Sequence, residues 1–321
     1  MKAATEFELI ESFARAFRPA RPPRGPGDDC AVLPAARGEL CVTTDAVVEG
    51  VHFTRPAFSA EDVGYKALAV NLSDLAAMGA RPAWFVCAVA LPRPGAAALV
   101  RGVARGMAPL ARKWRIALAG GNFTSAPELS ITVTAAGEVP RGRALLRSGA
   151  RPGDLLFVSG TLGDARLGLE RLRAKGAPPR ESLRQRRPVP RIALGLLSRR
   201  YASAAIDVSD GLSQDLAHLC LASGVGAQVD AARLPLSRAV RAAFPDALEA
   251  ARWALAGGED YELLLCVPAP RSAGFLRACA RAGERVTQIG RVVRGRRPEL
   301  RLPGGARTEG VPGFDHFATG I

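Results

Sequence analysis

Strand-like and helix-like segments alternate along this 321-residue chain, and a turn-rich stretch, Pro140 to Gly153, divides it into two mixed halves. Two mixed halves support two α/β-type domains. Length agrees, since roughly 150 residues per domain suggests about two. A chain of this size buries a core without disulfides or structural metals.

In the first half, residues 5 to 17 read as a helix, and Leu40 to Phe53, rich in Val and Thr, as a strand running into a loop. Ser59 followed by Asp62 is a capping-box signature. It opens a helix to about Met78 with Leu68, Leu72 and Leu75 on one face, closed by Gly79 and Pro82. Asp62 and Lys66, four apart, read as a surface pair without a role. A buried strand over Trp84 to Leu91, a helix over 96 to 114, a short strand over Ile116 to Ala119 and an alternating strand over Leu129 to Val139 follow. In the second half, strands are expected over Asp154 to Ser159, Ala204 to Val208 and Tyr261 to Val267. Helices are expected over Leu162 to Lys175, Leu212 to Ala222 and 271 to 281, and Gly176 to Pro190 reads as a surface loop.

The net charge of +14 raises nucleic acid as a partner. Against it, only four basic residues are lysines, the arginines are scattered, and no basic run interleaves with aromatics. No specific nucleic-acid partner is expected, whereas a positive field suits anionic small substrates. The six cysteines form no CxxC pair and several sit in apolar runs, so they read as buried free thiols in a reducing compartment. The first residues lack the uninterrupted apolar run of a signal peptide, and no apolar stretch is long enough to cross a bilayer. The expectation is a soluble, cytoplasmic protein without a membrane partner.

P-loop and Gly-x-Gly-x-x-Gly signatures are absent, and three histidines do not support a multi-histidine metal site. Acid clusters stand out instead: Gly27-Asp28-Asp29, Thr43-Thr44-Asp45, Asn71 with Asp74 on one helix face, Asp207-Val208-Ser209-Asp210-Gly211, and Gly257-Gly258-Glu259-Asp260. Each alone has a plain reading as a turn, a helix cap or a solvated face. Together they point to a site for several metal ions and phosphates. Adjacent carboxylates need a cation or solvent between them, and Asp and Thr oxygens are hard ligands for Mg²⁺.

These motifs, read together, resemble the thiamine-monophosphate kinases, in the superfamily that includes aminoimidazole-ribonucleotide synthetase and selenophosphate synthetase. The resemblance is carried by GDDCAVL at 27 to 33, TTDAVVEGVHF at 43 to 53, YKALAVNLSDLAAMGARP at 65 to 82 and GGN at 120 to 122. It continues through LSITVTAAGEVP at 129 to 140, RSGARPGD at 147 to 154, SGTLGDA at 159 to 165, IDVSDGLSQDL at 206 to 216, GGEDYELL at 257 to 264 and DHFAT at 315 to 319.

The resemblance implies an α/β (α+β) fold of two mixed domains. Residues 1–140 would bind metal and ATP and pair in a homodimer, and 141–321 would close the substrate cleft. The implied reaction moves the γ-phosphoryl of ATP onto thiamine monophosphate, giving thiamine diphosphate and ADP, with several Mg²⁺ ions. Asp29, Thr43, Thr44, Asp45, Asp74, Asn122, Asp207 and Asp210 would hold the metal. Gly121, Asn122, Arg147 and Ser209 would contact ATP, with Arg147 as charge stabiliser, and His52, Glu259 and Phe314 would hold thiamine monophosphate. No general base is implied, because the attacking group is already a phosphate oxygen. Asn122 stands where many members have Asp. Two competing readings are another ATP-dependent synthetase of the superfamily and an inactive thiamine-phosphate-binding protein. The first should carry its own N-terminal signatures and the second should have lost metal carboxylates.

Overall fold

The computed structural model describes residues 6–17, 33, 36–55, 57–174 and 182–313. The chain divides into two compact units, 1–75 with 80–142 and 76–79 with 143–321.

The first unit carries α1 (Glu6–Arg15), β1 (Glu39–Val48), α2 (Ala60–Ala77), β2 (Arg81–Leu91), α3 (Ala96–Trp114), β3 (Ala117–Ser125) and β4 (Ser130–Val139). Its four strands lie in the order β1-β4-β2-β3. β4 runs antiparallel to β1 and β2, and β3 runs parallel to β2 after the crossover through α3 that a parallel pair requires. The capping box forms at the start of α2: Asp62 N–H donates to Ser59 Oγ at 3.1 Å, and Ser59 N–H to Asp62 Oδ2 at 3.3 Å.

Alternation gives this sheet two unlike faces. Phe85, Cys87, Val89, Ile131, Val133, Ala135 and Val47 lie on one face and are buried. Phe17 packs edge-on to Phe85 there, and Phe13 of α1 packs edge-on to Phe123. On the other face Leu40 is 46% and Val42 57% exposed. Helices α2 and α3 approach closely through glycine: a Cβ on Gly106 would stand 1.9 Å from Glu61 O, and one on Gly64 2.2 Å from Val103 O.

Asp62 and Lys66 are not a surface pair. Both are buried, Lys66 with 1% exposed. The Lys66 ammonium lies over the Phe58 ring, 5.6 Å from its centroid, and donates to His52 O at 3.4 Å. Helix periodicity alone does not reveal that a neighbouring loop folds over this face.

The second unit carries β5 (Leu155–Ser159), α4 (Asp164–Arg173), α5 (Leu183–Arg186), α6 (Ile192–Ser198), β6 (Ala204–Val208), α7 (Leu212–Ser223) and β7 (Gly226–Asp230). It continues with α8 (Arg238–Ala243), α9 (Ala247–Ala256), β8 (Glu262–Val267), α10 (Ala269–Ala282), β9 (Val286–Val293), β10 (Pro298–Arg301) and β11 (Arg307–Thr308). Seven strands form one sheet, β11-β10-β7-β9-β5-β8-β6, antiparallel except where β10 lies beside β7. Leu156, Val158, Ile206 and Leu264 of its strands pack with Leu216 of α7 and Leu255 of α9 in the core.

The stretch expected as a surface loop, 176–190, contains α5, with Ser182 and Gln185 buried. Gln185 meets a partner elsewhere in the fold, Glu259, and Ser182 accepts from Arg186 of the same segment, pairings that composition does not record. Strand β7, helices α8 and α9 and strands β9 to β11 add elements that the sequence pattern left unassigned.

Candidate active site

In the first unit the acid cluster is built at the edge strand β1. Pleating sends Thr43 and Asp45 to the helix-covered face and Thr44 to the open one. Thr43 Oγ1 donates to Asp74 Oδ2 of α2 at 2.5 Å. The Asp45 carboxyl is pushed up to about 7, first by burial, then by the Asp74 charge and a hydrogen bond with Asp74. Two carboxylates this close do not both ionise unless a cation joins them. The pair and its threonine hydroxyl are hard oxygen donors and fit Mg²⁺. Among the described residues, no group of three or more His, Cys, Asp or Glu could hold a metal ion. Asp29 lies outside the described residues.

Not all of the residues expected to share the metal lie together in this sheet. Ala46, Thr132, Ala88 and Asn122 form one row across it, one residue along from the row of Asp45, Val133, Cys87 and Gly121. Asn122 is therefore on the open face, as Thr44 is, and on the opposite edge strand. Three strand spacings, roughly 14 Å, separate β1 from β3. Thr44 Oγ1 instead bonds Thr134 Oγ1 at 3.0 Å and Val133 O at 3.2 Å.

His52 sits in the loop after β1. Its Nδ1 accepts the Val48 N–H at 3.1 Å, and Lys66 holds its carbonyl. Glu49 braces the same loop, pairing with Arg55 at 2.6 Å and accepting the Leu129 N–H at 3.0 Å.

In the second unit Asp207 is buried at the end of β6, and Ser209 and Asp210 form the turn into α7. Asp215 of α7 holds this turn: its Oδ2 accepts the N–H groups of Ser209, Asp210 and Gly211 at 3.0, 3.2 and 3.2 Å. Burial, then the Asp210 charge, pushes the Asp215 carboxyl up to about 7 against those three donors. The turn needs glycine at 211, where φ is +120°. Gln214 Nε2 donates to Asp210 Oδ2 at 3.3 Å.

The Gly257–Tyr261 segment is stitched to this turn. Glu259 N–H donates to Ser209 O at 2.6 Å, and Tyr261 N–H to Val208 O at 2.8 Å. Both residues take left-handed backbone, φ +64° and +50°, which costs a side-chain-bearing residue about 1–2 kcal/mol. Between them Asp260 is buried and accepts the N–H groups of Gly163 and Ala165 at 2.6 and 3.1 Å. Ser209, Asp210 and Glu259 are thereby brought together. Arg147 is exposed, its carbonyl accepting from Ser223 Oγ at 2.8 Å. Phe314 lies outside the described residues.

Sequence reasoning gave no role to Asp215, Asp260, Lys66 or Gln185. Asp215, Asp260 and Lys66 stand inside recognisable motifs and could have been singled out. Nothing local marks Gln185.

Residues 27–139 match the N-terminal domain, and 151–303 the C-terminal domain, of AIR synthase related proteins. The thiamine-monophosphate kinase of Salmonella typhimurium is 43% identical, with 99% of each chain covered. Among solved structures, the thiamine-monophosphate kinase of Stenotrophomonas maltophilia is 43% identical with a TM-score of 0.80, over 85% of this chain and 89% of that one. A second, AaThiL in complex with AMPPCP and TMP, is 34% identical with a TM-score of 0.78 and 97% of both chains covered. With both domain models matched and full-length relatives at this identity, the chain belongs to the thiamine-monophosphate kinases of the AIR synthase related family.

Proposed function

We propose that this chain transfers the γ-phosphoryl group of ATP to the phosphate of thiamine monophosphate. An acceptor phosphate oxygen attacks the γ-phosphorus, the bond to the β,γ-bridging oxygen breaks, and thiamine diphosphate and ADP leave. The observation that carries this reading is the half-buried Asp45–Asp74 pair with the Thr43 hydroxyl, an arrangement that calls for a cation beside phosphates. Thr43, Asp45 and Asp74 of the first unit, with Asp29, would hold Mg²⁺, and so would Asp207 and Asp210 of the second; Thr44 and Asn122, on the open face of the sheet, would do so only at positions apart from the Asp45–Asp74 pair. When bound, Mg²⁺ supplies charge neutralisation for reactants that are both polyanions.

The protein's own residues would then do the positioning. Gly121, Asn122 and Ser209 would contact ATP, with the exposed Arg147 guanidinium offsetting charge on the transferred group. His52, Glu259 and Phe314 would hold thiamine monophosphate. The backbone bond from Glu259 to Ser209 supports these two roles, since it holds the two residues side by side, and fixed geometry supplies much of the rate in phosphoryl transfer.

A homodimer is supported by the open face of the first sheet, where Leu40 and Val42 stand exposed. A cytoplasmic location is supported by free thiols at Cys87, Cys220, Cys266 and Cys279. Among the described residues no helix is long and apolar enough to cross a membrane.

The experiment is to mix protein, ATP, Mg²⁺ and thiamine monophosphate and quantify thiamine diphosphate and ADP together. Equal amounts of both, lost in Asp45→Ala, are expected. ADP without thiamine diphosphate would point to a different acceptor, and neither product would overturn the kinase reading.

A further inference from the structure

Gln185 lies in α5, in a segment whose composition suits a surface loop, yet 2% of it is exposed. Its Nε2 donates to Glu259 Oε2. Its Oε1 is buried and accepts no hydrogen bond. A buried acceptor left without a donor is destabilising, so this amide is a poor choice for stability alone. Its orientation has an electrostatic cause. Turned over, the amide would set Oε1 against the Glu259 carboxylate.

The surroundings divide the labour. Arg191 clamps Glu262 with two bonds, Nε to Oε2 at 2.6 Å and Nη2 to Oε1 at 2.5 Å, and Arg184 Nη1 lies 3.8 Å from Glu262 Oε1. Gln185, next to Arg184 in α5, turns to Glu259. The Glu259 backbone is fixed by its N–H bond to Ser209 and by Asp260 locked onto the start of α4. A fixed backbone does not by itself set the outer torsions of a glutamate side chain, which are broad. A buried amide bonded to one carboxylate oxygen restricts them.

We infer that Gln185 is a positioning residue for the acceptor: it fixes the Glu259 carboxylate in the orientation that receives thiamine monophosphate. This rests on the reading above that Glu259 holds that substrate.

The test is a double-mutant cycle of wild type, Gln185→Met, Glu259→Gln and the combination. KM is measured for thiamine monophosphate and for ATP, and calorimetry gives thiamine monophosphate affinity without ATP. Gln185→Met keeps the volume and removes the donor. It is expected to weaken acceptor KM and affinity about tenfold with little change in ATP KM. In the Glu259→Gln background the same change is expected to matter less than about twofold. Gln185→His retains an N–H donor and should recover most of the acceptor KM. Should Gln185→Met not fold, Gln185→Asn, one methylene short of reaching Glu259, replaces it with the same expected split. Equal losses in both backgrounds, or an equal rise in ATP KM, would overturn the inference. A wild type that makes no thiamine diphosphate overturns the kinase reading and this inference with it, whereas an active wild type with an uncoupled Gln185 overturns this inference alone.

Discussion

Thr43 of β1 donates its hydroxyl hydrogen to Asp74 of α2 at 2.5 Å, linking the edge strand to the helix above it across 31 positions of sequence. The bond orients Asp74 toward Asp45, whose carboxyl is raised by burial and by Asp74. Thr43→Val removes the hydroxyl and keeps the shape, whereas Asp74→Asn removes the charge. Both are expected to raise the Mg²⁺ concentration needed for half-maximal turnover, Asp74→Asn by at least about tenfold and Thr43→Val by less. Activity titrated against Mg²⁺ at saturating ATP checks this, and superimposable curves would remove the pair from the metal site.

Asp260 should make stability depend on pH. Burial pushes its carboxyl up to about 8, with the Glu262 and Asp164 charges adding to the rise and the Gly163 and Ala165 N–H groups opposing it. The folded chain therefore holds a proton that the unfolded chain has released between about pH 4 and 8, and the contribution of this group to stability falls as pH rises through that window. Asp260→Asn has no such titration. The wild-type melting temperature minus that of the variant should decrease from pH 5 to 8. A constant difference would mean that Asp260 is ionised throughout.

Gly106→Ala tests the contact of α2 with α3. Alanine favours an isolated helix over glycine by about 1 kcal/mol, so propensity alone predicts a gain. The new Cβ would stand 1.9 Å from Glu61 O and 2.8 Å from Tyr65 N, backbone atoms that move only with their helix. A net loss of about 1–3 kcal/mol is expected by urea unfolding. A more stable variant would mean that the two helices separate readily.

The open sheet face tests assembly. Val42 is 57% exposed, and Leu40 lies two positions before it on the same side of β1. Val42→Glu would place a charge in any apolar contact made there. Light scattering behind size exclusion is expected to give a dimer for the wild type and a monomer for the variant. Equal masses would place the subunit contact elsewhere.

Much of the architecture was legible from local pattern. Alternation in Leu129–Val139, the Ser59–Asp62 capping box and the leucine spacing of α2 each act between near neighbours, and each appears in the fold. The short pieces, α5, α8 and β7, were not legible, because few residues carry too little period and their stability comes from what packs on them.

For the site, the sequence by itself determined which oxygens and glycines are available and in what order, because motif chemistry is local. Tertiary structure decided which of them meet. The pleat of β1 divides Thr43 and Asp45 from Thr44, and strand order sets Asn122 on the far edge from Asp45. Chain segments 74 residues apart join Gln185 to Glu259, and a buried loop contact turns Lys66 inward. No window of sequence contains those distances. They are fixed by hydrogen-bond register between strands and by burial, which depend on the whole chain folding at once.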